Sequence, residues 1–96
     1  MLFVITAMDR PDSRALRMAT RPAHFEYVRA TGAVKLGGPF LDEAGGMTGS
    51  LIIIEAADLA EAVRWQAEDP YARAGLFAHA EVRPWKATAN NCNAEL

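Results

Sequence analysis

Residues 51–54, Leu-Ile-Ile-Ile, form an unbroken run of large aliphatic side chains within a chain of 96 residues. A strand with one face in water alternates apolar and polar residues, whereas a strand that is covered on both faces is apolar throughout. The run therefore predicts a central strand from Thr48 to Glu55. A chain that contains such a strand has to cover both faces of a sheet.

The rest of the chain alternates between strand-like and helix-like segments. Short runs rich in β-branched and aromatic residues predict strands, and apolar residues at three- and four-residue spacing predict helices. This order, β-α-β-β-α-β, is that of an α+β ferredoxin-like fold: a four-stranded antiparallel sheet with two helices on one face. The predicted strands are 2–8, 33–41, 48–55 and 76–85, and the predicted helices are 13–31 and 57–68.

Pro22 interrupts the first predicted helix. A proline inside a helix removes one backbone donor and costs roughly 3 kcal/mol. The segment can kink, or it can break into a short helix and a second one that starts near Pro22. We favour the break because Thr20 is an acceptable N-cap. Gly32 predicts the left-handed C-terminal end, and the expected apolar stripe comprises Leu16, Ala19, Ala23, Tyr27 and Ala30.

Glycine and acidic residues mark the predicted connections. The consecutive glycines of residues 37–39, Gly-Gly-Pro, predict a bulge or a close backbone approach within the second strand. Residues 42–46, Asp-Glu-Ala-Gly-Gly, predict a hairpin. Asp58, with Glu61 three residues later, predicts the N-cap of the second helix. One extra turn is expected between Tyr71 and Gly75.

The predicted topology leaves one sheet face without helices. That face carries many apolar side chains and requires a cover, and a second copy of the chain in a twofold arrangement is the simplest one. We therefore expect a homodimer. The domain is expected to span residues 1–86, with residues 87–96 as a flexible C-terminal tail.

The composition argues against several classes of protein. The hydrophobic fraction of 51% is typical of a globular chain, and a formal net charge of −2 favours neither nucleic acid nor an anionic membrane as a partner. Cys92 is the single cysteine, which excludes an internal disulfide. No apolar run approaches the roughly 20 residues that cross a bilayer, and no secretory signal is evident, so a cytoplasmic location is expected. No cofactor motif occurs, and His24 and His79 lack a third ligand at a recognisable metal-site spacing, so neither cofactor nor metal is predicted.

His24 and Asp69 are the candidate catalytic pair. Asp69 directly precedes Pro70, which disfavours the helical conformation at Asp69 and leaves its carboxylate free to turn inward. An aspartate against a histidine fixes the imidazole tautomer and raises its basicity, a common way to build a general base. The alternatives are a histidine satisfied by a backbone group and a carboxylate that caps a helix.

Five short motifs occur in one order along the chain: 21–27 (RPAHFEY), 37–39 (GGP), 49–53 (GSLII), 69–71 (DPY) and 74–76 (AGL). In this order and in a chain of this length, the set resembles the YCII-related (YciI-like) proteins, small members of the dimeric α/β-barrel group. Each motif alone is weak, and together they are fairly specific. The resemblance covers the chain from about residue 2 to about residue 86.

The resemblance implies a ferredoxin-like fold, a dimer and an active site around a histidine and an aspartate, which correspond to His24 and Asp69. The family's Gly-Pro loop corresponds to Gly38 and Pro39, and its strand-opening serine corresponds to Ser50. A characterised relative is a dehydrochlorinase that acts on a chlorinated hydroxyhydroquinone, and related barrels include muconolactone isomerases. Most members have no assigned reaction.

Three further residues are candidates for binding a substrate. Arg21, three positions before His24, is suited to a carboxylate or phenolate. The backbone around Gly38 offers donors to an enolate oxygen. Ser50 is a candidate pocket hydroxyl rather than a nucleophile, because no Gly-x-Ser-x-Gly elbow surrounds it. The structural alternatives are a solvated arginine, a bulge glycine and a small residue needed for strand packing.

Two functions compete. The first is a cofactor-independent lyase or isomerase that acts on a small cyclic or aromatic-derived metabolite, with His24 moving a proton and Asp69 orienting the imidazole. The second is a non-catalytic module that binds a small ligand or assembles with another domain. The fold supports both, since fold does not determine function.

Overall fold

The computed structural model describes residues 1–96 and contains four strands and three helices. None of the helices has the length and apolar character that a membrane-spanning helix needs. Residues 86–96 contain no helix or strand. In chain order the elements are β1 (Leu2–Asp9), α1 (Arg14–Thr31), β2 (Val34–Leu41), β3 (Met47–Glu55), α2 (Leu59–Glu68), α3 (Pro70–Arg73) and β4 (Phe77–Trp85).

The strands form one antiparallel sheet in the order β2-β3-β1-β4. β3, which carries the Leu-Ile-Ile-Ile run, is central, as that run predicts. Phe3 of β1 lies opposite Ile54, and Ile5 lies opposite Ile52. The predicted α+β ferredoxin-like arrangement is confirmed, and the single-turn α3 is the extra turn expected after the second helix.

The hydrophobic core lies between one face of the sheet and α2. Each large apolar side chain buried there contributes roughly 1.5–3 kcal/mol relative to an exposed one. α1 adds only the half-buried Tyr27 and Val28 to this cluster. The core consists of Phe3, Ile5, Ile52, Ile54, Ala56, Ala62 and Trp65.

α1 is one helix from Arg14 to Thr31, so the predicted break at Pro22 is wrong. Pro22 is exposed, and so is Met18, whose carbonyl lacks its helical donor because Pro22 has no N–H. Water can supply the missing hydrogen bond on this side, which reduces the cost of the proline. The helix continues to Gly32, whose φ of 63° gives the predicted left-handed end.

The inner face of α1 differs from the predicted apolar stripe. Ala19 and Ala23 are exposed, whereas Arg17 and His24 are the buried residues of the helix. Alanine gains little from burial, and the two polar side chains find hydrogen-bonding partners that offset their desolvation. The helix therefore turns a polar face inward.

α2 begins where the sequence predicts. Asp58 Oδ1 accepts the backbone N–H of Glu61 at 2.9 Å, and Glu61 Oε2 accepts the backbone N–H of Ala57 at 3.3 Å. This reciprocal pattern resembles a capping box, and it satisfies donors that the first turn of a helix leaves free.

β2 and β3 are joined by the hairpin predicted at residues 42–46. Their register shifts next to Val34 and next to Leu41, at the two ends of β2, so the bulge expected at the glycines is absent. A side chain at position 37 would lie 3.2 Å from the carbonyl oxygen of Leu51. Gly37 therefore serves the other expected purpose, a close approach of two backbones.

The sheet face opposite the helices is here called the open face. Leu36 of β2, Ile53 of β3 and Val4 of β1 lie side by side on it in the strand register. Leu36 is 46% exposed, although the other two are partly or fully covered by their neighbours. β4 adds polar side chains to the same face, namely His79, Glu81 and Arg83, with His79 Nε2 3.0 Å from Glu81 Oε1.

Tyr27 links α1 to α2. Its hydroxyl donates to the carbonyl oxygen of Trp65 at 2.7 Å, and the two ring centroids lie 5.0 Å apart. Burial, together with the negative charges of Glu68 and Asp69, raises the pKa of Tyr27 to about 12. The phenol therefore remains a hydrogen-bond donor well above neutral pH.

We expect the free energy of unfolding to fall as the pH rises from 10 towards 12. The pKa of Tyr27 in the folded protein lies above its ordinary value of 10.0, so its contribution is complete below pH 10 and is lost as the pH approaches 12. Tyr27→Phe should remove this part of the pH dependence, on the order of 1 kcal/mol. Urea unfolding of both proteins at about pH 9 and about pH 11 measures the free energy of unfolding at each pH. An equal change in this free energy between the two pH values in both proteins would contradict the assignment.

Candidate active site

A cavity of about 130 Å³ lies between α1, α3 and the strands β2 and β3. An apolar cavity of about 150 Å³ binds benzene in an engineered protein, so the size here corresponds to a single six-membered ring. Five of the residues singled out in the sequence line it: Arg21, His24, Gly38, Pro39 and Ser50.

His24 meets Asp69 at one end of the cavity. Both side chains are buried, and His24 Nδ1 lies 2.8 Å from Asp69 Oδ1. The same oxygen accepts the backbone N–H of Tyr71 at 3.0 Å. Because a carboxylate can only accept, we assign the shared proton to Nδ1. Nε2 then keeps its lone pair, and it makes no hydrogen bond within the chain.

Asp69 occupies the junction between α2 and α3. Its φ of −56° and ψ of 130° are non-helical, which agrees with the restriction that Pro70 places on the preceding residue. The carboxylate caps α3 through the Tyr71 N–H while it contacts His24. The two sequence interpretations of Asp69, as a helix cap and as a partner of His24, therefore describe one arrangement. Asp69 lies behind the imidazole and does not line the cavity.

Arg21 is the cavity arginine without an acidic partner. Its guanidinium carbon lies 5.0 Å from the ring centroid of Phe25, and the side chain makes no hydrogen bond or ion pair within residues 1–96. It lies one helical turn before His24 on the same face of α1. A guanidinium offers a planar set of donors that matches a carboxylate or a phenolate. Arg21 is therefore available to bind an anionic group in the cavity.

Ser50 and the Gly38–Pro39 segment belong to the strand wall of the cavity. The Ser50 hydroxyl accepts a hydrogen bond from Arg17 Nη2 at 2.8 Å and contacts no base, so it is not activated as a nucleophile. Gly49 permits this placement, because a Cβ there would lie 2.3 Å from the carbonyl oxygen of Ala7. Only glycine allows β1 and β3 to approach so closely beside Ser50.

Arg17 and Asp9 form a buried ion pair that the sequence analysis missed. Arg17 Nε and Nη2 donate to the two carboxylate oxygens of Asp9 at 2.7 and 3.0 Å, and the side chains are 3% and 7% exposed. One signal was available: Arg17, Arg21 and His24 follow the four- and three-residue spacing of one helix face. This spacing shows that the three residues share one face of the helix, but it does not show that the face turns inward.

Tyr71 is a further residue that the sequence analysis left without a role. Its ring stacks on His24 with centroids 4.2 Å apart and an interplanar angle of 18°, and Arg17 Cζ lies 4.7 Å from the centroid of the Tyr71 ring. Burial raises the pKa of Tyr71, although the positive charges of Arg17 and Arg21 oppose the rise. The phenol is therefore neutral at physiological pH.

Asp9 keeps the guanidinium of Arg17 in its charged form. Burial works against the charged guanidinium, but the hydrogen bonds and the negative charge of Asp9 outweigh it and raise the pKa of Arg17. The cavity thus has one arginine whose charge is paired, Arg17, and one whose charge is unpaired, Arg21.

The model of the YCII-related domain matches residues 1–86. Protein YciI of Escherichia coli O6:H1 (strain CFT073) is 38% identical over 95 residues, which cover 90% of this chain and 97% of that protein. An uncharacterised protein of Haemophilus influenzae is 34% identical over the same shares of the two chains. The resemblance predicted from the five motifs is confirmed.

Solved structures agree with this assignment. The 5-chloro-2-hydroxyhydroquinone dehydrochlorinase TftG of Burkholderia phenoliruptrix AC1100, in complex with 2,5-dihydroxybenzoquinone, matches with a TM-score of 0.81 and 37% identity, over 90% of this chain and 94% of that one. PA3566 of Pseudomonas aeruginosa matches with a TM-score of 0.56 and 15% identity over 92% and 93%, which shows the shared fold. Sequence and structure together establish that the chain belongs to the YCII-related domain family.

Proposed function

We propose that the protein is a lyase or isomerase that moves a proton on a small cyclic substrate, with His24 as the general base and acid. The observation that carries this proposal is the contact of 2.8 Å between His24 Nδ1 and Asp69 Oδ1 beside a cavity of ring size. It leaves Nε2 free to accept a proton at the edge of the cavity. A positioned acid–base group of this kind contributes roughly 10²–10⁴ in rate.

In the proposed reaction, His24 Nε2 takes a proton from an acidic O–H, or from a C–H next to a carbonyl. The electron pair of that bond enters the conjugated system, and Arg21 binds the oxygen on which the negative charge develops. Asp69 stabilises the imidazolium that forms. In an isomerase the imidazolium returns the proton to another ring atom. In a dehydrochlorinase the imidazolium returns the proton to the ring carbon that carries chlorine, which gives a keto tautomer. Loss of a proton from a second O–H then sends its electron pair through the ring and expels chloride from this tetrahedral carbon; that proton passes to water, so that HCl is lost.

The relative TftG supports a ring as substrate. It is a dehydrochlorinase of 5-chloro-2-hydroxyhydroquinone, and 2,5-dihydroxybenzoquinone is bound in its structure. Both molecules are single rings with oxygen substituents, and the volume of the cavity here corresponds to a single ring. Arg21 provides the positive charge that an ionised ring oxygen requires. We therefore propose a hydroxylated or quinone-like single-ring substrate and a reaction that needs no cofactor.

His24→Ala is expected to lower kcat on 5-chloro-2-hydroxyhydroquinone by roughly 10²–10⁴, because no carboxylate and no other imidazole lines the cavity. Asp69→Asn should also lower kcat substantially, since an amide does not stabilise the imidazolium. The measurement is chloride release at saturating substrate. His79→Ala is the matched control, because this exposed histidine on β4 does not line the cavity and its substitution should leave turnover unchanged.

Turnover by His24→Ala equal to that of the unmodified protein would refute the catalytic proposal. If neither protein releases chloride but both bind 2,5-dihydroxybenzoquinone, the small-ligand-binding function takes its place.

Arg21→Met should weaken binding of 2,5-dihydroxybenzoquinone by about tenfold or more, because one charge-assisted contact is lost while the side chain keeps its length. Titration calorimetry near neutral pH measures the dissociation constant. Arg29→Met is the matched control: Arg29 lies on the same helix, is exposed and pairs with Glu26. Equal affinities of the two variants would remove Arg21 from the proposed site.

We propose further that two copies of the chain pair through the open face to form a homodimer. Leu36 and Met8 on that face are 46% and 43% exposed, and Val4, Leu51 and Ile53 lie beside them in the strand register. A contiguous apolar area on a small domain is typical of an association surface. A twofold pairing buries this area on both copies with one self-complementary contact.

Leu36→Glu is expected to shift the protein from dimer to monomer, because the pairing would bury a carboxylate without a partner. Val63→Glu is the matched control, since Val63 on α2 is also 46% exposed but lies on the helical side. Sedimentation equilibrium of both variants measures the mass in solution. A monomeric unmodified protein, or a dimeric Leu36→Glu variant, would contradict the proposed pairing.

A further inference from the structure

The ring of Tyr71 lies against the inner face of α1, next to both Arg17 and His24 of that helix. Arg17 Cζ lies 4.7 Å from the centroid of the Tyr71 ring, and the imidazole of His24 lies 4.2 Å from it at an interplanar angle of 18°. Arg17 and His24 are seven residues apart, about 10.5 Å of helix rise. That separation matches one aromatic ring inserted between the guanidinium and the imidazole.

The guanidinium at one end of this stack is held in its plane. Arg17 donates two hydrogen bonds to Asp9 at 2.7 and 3.0 Å and a third to Ser50 Oγ at 2.8 Å. Asp9 is the last residue of β1 and Ser50 lies in β3, so both anchors belong to the sheet. A guanidinium fixed in this way is an immobile, positively charged neighbour of the Tyr71 ring, with Cζ 4.7 Å from the ring centroid.

The imidazole at the other end is fixed along its edge by Asp69. The hydrogen bond from Nδ1 selects the tautomer, but a ring that is free to tilt about this single contact breaks the hydrogen bond for part of the time and can then exchange its proton. The stacked Tyr71 ring removes this freedom. Tyr71 is itself held by its backbone N–H on Asp69 and by an edge contact with Phe77, whose centroid is 6.0 Å away at 70°.

The Arg17–Asp9 pair is not expected to add much to the free energy of unfolding. A buried ion pair loses much of its Coulomb attraction to desolvation, and apolar residues of similar volume often serve stability equally well. Its advantage lies in geometry, since three directed hydrogen bonds place one flat cation more sharply than apolar contacts do.

We propose that Arg17 is a positioning residue, which holds His24 in its reactive orientation through the ring of Tyr71. The inference rests on the proposed role of His24 as the base. Arg17 lines the cavity, but its hydrogen bonds go to Asp9 and Ser50, so we assign it to fixing the face of Tyr71 against which the imidazole lies.

The test compares Arg17→Lys with Arg14→Lys, both in a His79→Gln background in which His24 is the sole imidazole. Lysine keeps the positive charge beside Asp9, so the ion pair and the fold are retained, but it lacks the plane that stacks on Tyr71. Arg14 is the matched control, because it lies on the same helix and pairs with an aspartate, Asp42, at 3.1 Å on the surface.

The readout is the pair of His24 ring-nitrogen signals in ¹⁵N-correlated NMR spectra, which requires no substrate. The background protein and the Arg14→Lys variant should show the separate nitrogen shifts of one tautomer and a protected Nδ1–H. Arg17→Lys should show the loss of the protected Nδ1–H and movement of the nitrogen shifts towards an average, with backbone amide spectra that remain those of a folded protein. If the Arg17→Lys variant is folded and its imidazole spectrum equals that of the Arg14→Lys variant, the proposal is overturned.

Two further variants separate the ring of Tyr71 from its hydroxyl. Tyr71→Phe keeps the stack and should retain the imidazole spectrum, whereas Tyr71→Leu removes it and should reproduce the effect of Arg17→Lys. An altered spectrum in Tyr71→Phe would assign the effect to the hydroxyl and contradict the stacking argument.

Kinetics give a second readout where the protein turns over 5-chloro-2-hydroxyhydroquinone. Arg17→Lys should lower kcat by about tenfold or more and leave KM nearly unchanged, because misplacement of a base affects the chemical step more than binding. A rise in KM at constant kcat would assign Arg17 to substrate binding instead. Absence of turnover in the unmodified protein would count against the proposed reaction, while the imidazole spectra would still decide the positioning role.

Discussion

The carboxylate of Asp69 joins the architecture of this domain to its candidate chemistry. One oxygen accepts both the Tyr71 N–H, which starts α3, and the Nδ1–H of His24, which lies on α1. Pro70 makes this possible, because it ends α2, excludes Asp69 from the helix and turns the side chain inward. Without this junction α3 would lose its cap, and the imidazole would have neither a defined tautomer nor a stacked neighbour. The restriction that Pro70 places on the backbone of Asp69 therefore helps to position the candidate base, His24.

α1 depends on polar contacts to an unusual degree. The buried core is formed by the sheet and α2, and α1 adds only half-buried side chains to it. The helix is anchored instead by Arg17 on Asp9 and Ser50, by His24 on Asp69, and by the Tyr27 hydroxyl on the backbone of α2. Directed hydrogen bonds between buried groups are costly to leave unmade, so they specify one position of the helix more strongly than they stabilise it. The position of α1 is also the position of the cavity wall, so the contacts that place the helix also shape the site.

The sequence predicts the fold well because the fold depends on local patterns. The apolar run of β3, the order of the elements and the cap at Asp58 are all readable from short windows of the chain. The break at Pro22 was predicted wrongly because the local cost of proline was counted without the solvent that reaches the exposed side of the helix. The apolar stripe of α1 failed for a related reason: spacing shows which residues share a face, but only tertiary contacts decide which face turns inward. His24 and Asp69 were within reach because each lies near a proline. The spacing of Arg17 shows only that it shares a helix face with His24, and its pairing with Asp9 joins two elements and cannot be read from a short window of the chain.

β2 connects the two proposed surfaces of the molecule. Gly37 and Pro39 line the cavity, while Leu36 lies on the open face, and most of the strand is exposed at the edge of the sheet. An edge strand paired on one side has fewer contacts to restrain it than β1 or β3. A second copy seated on the open face would cover Leu36 and restrain the strand, while the cavity lies on the other side of the sheet between this strand and α1. Dimerisation would then act on the site through the rigidity of this wall. In that case a domain whose candidate catalytic groups all lie within one chain would still benefit from the proposed pairing.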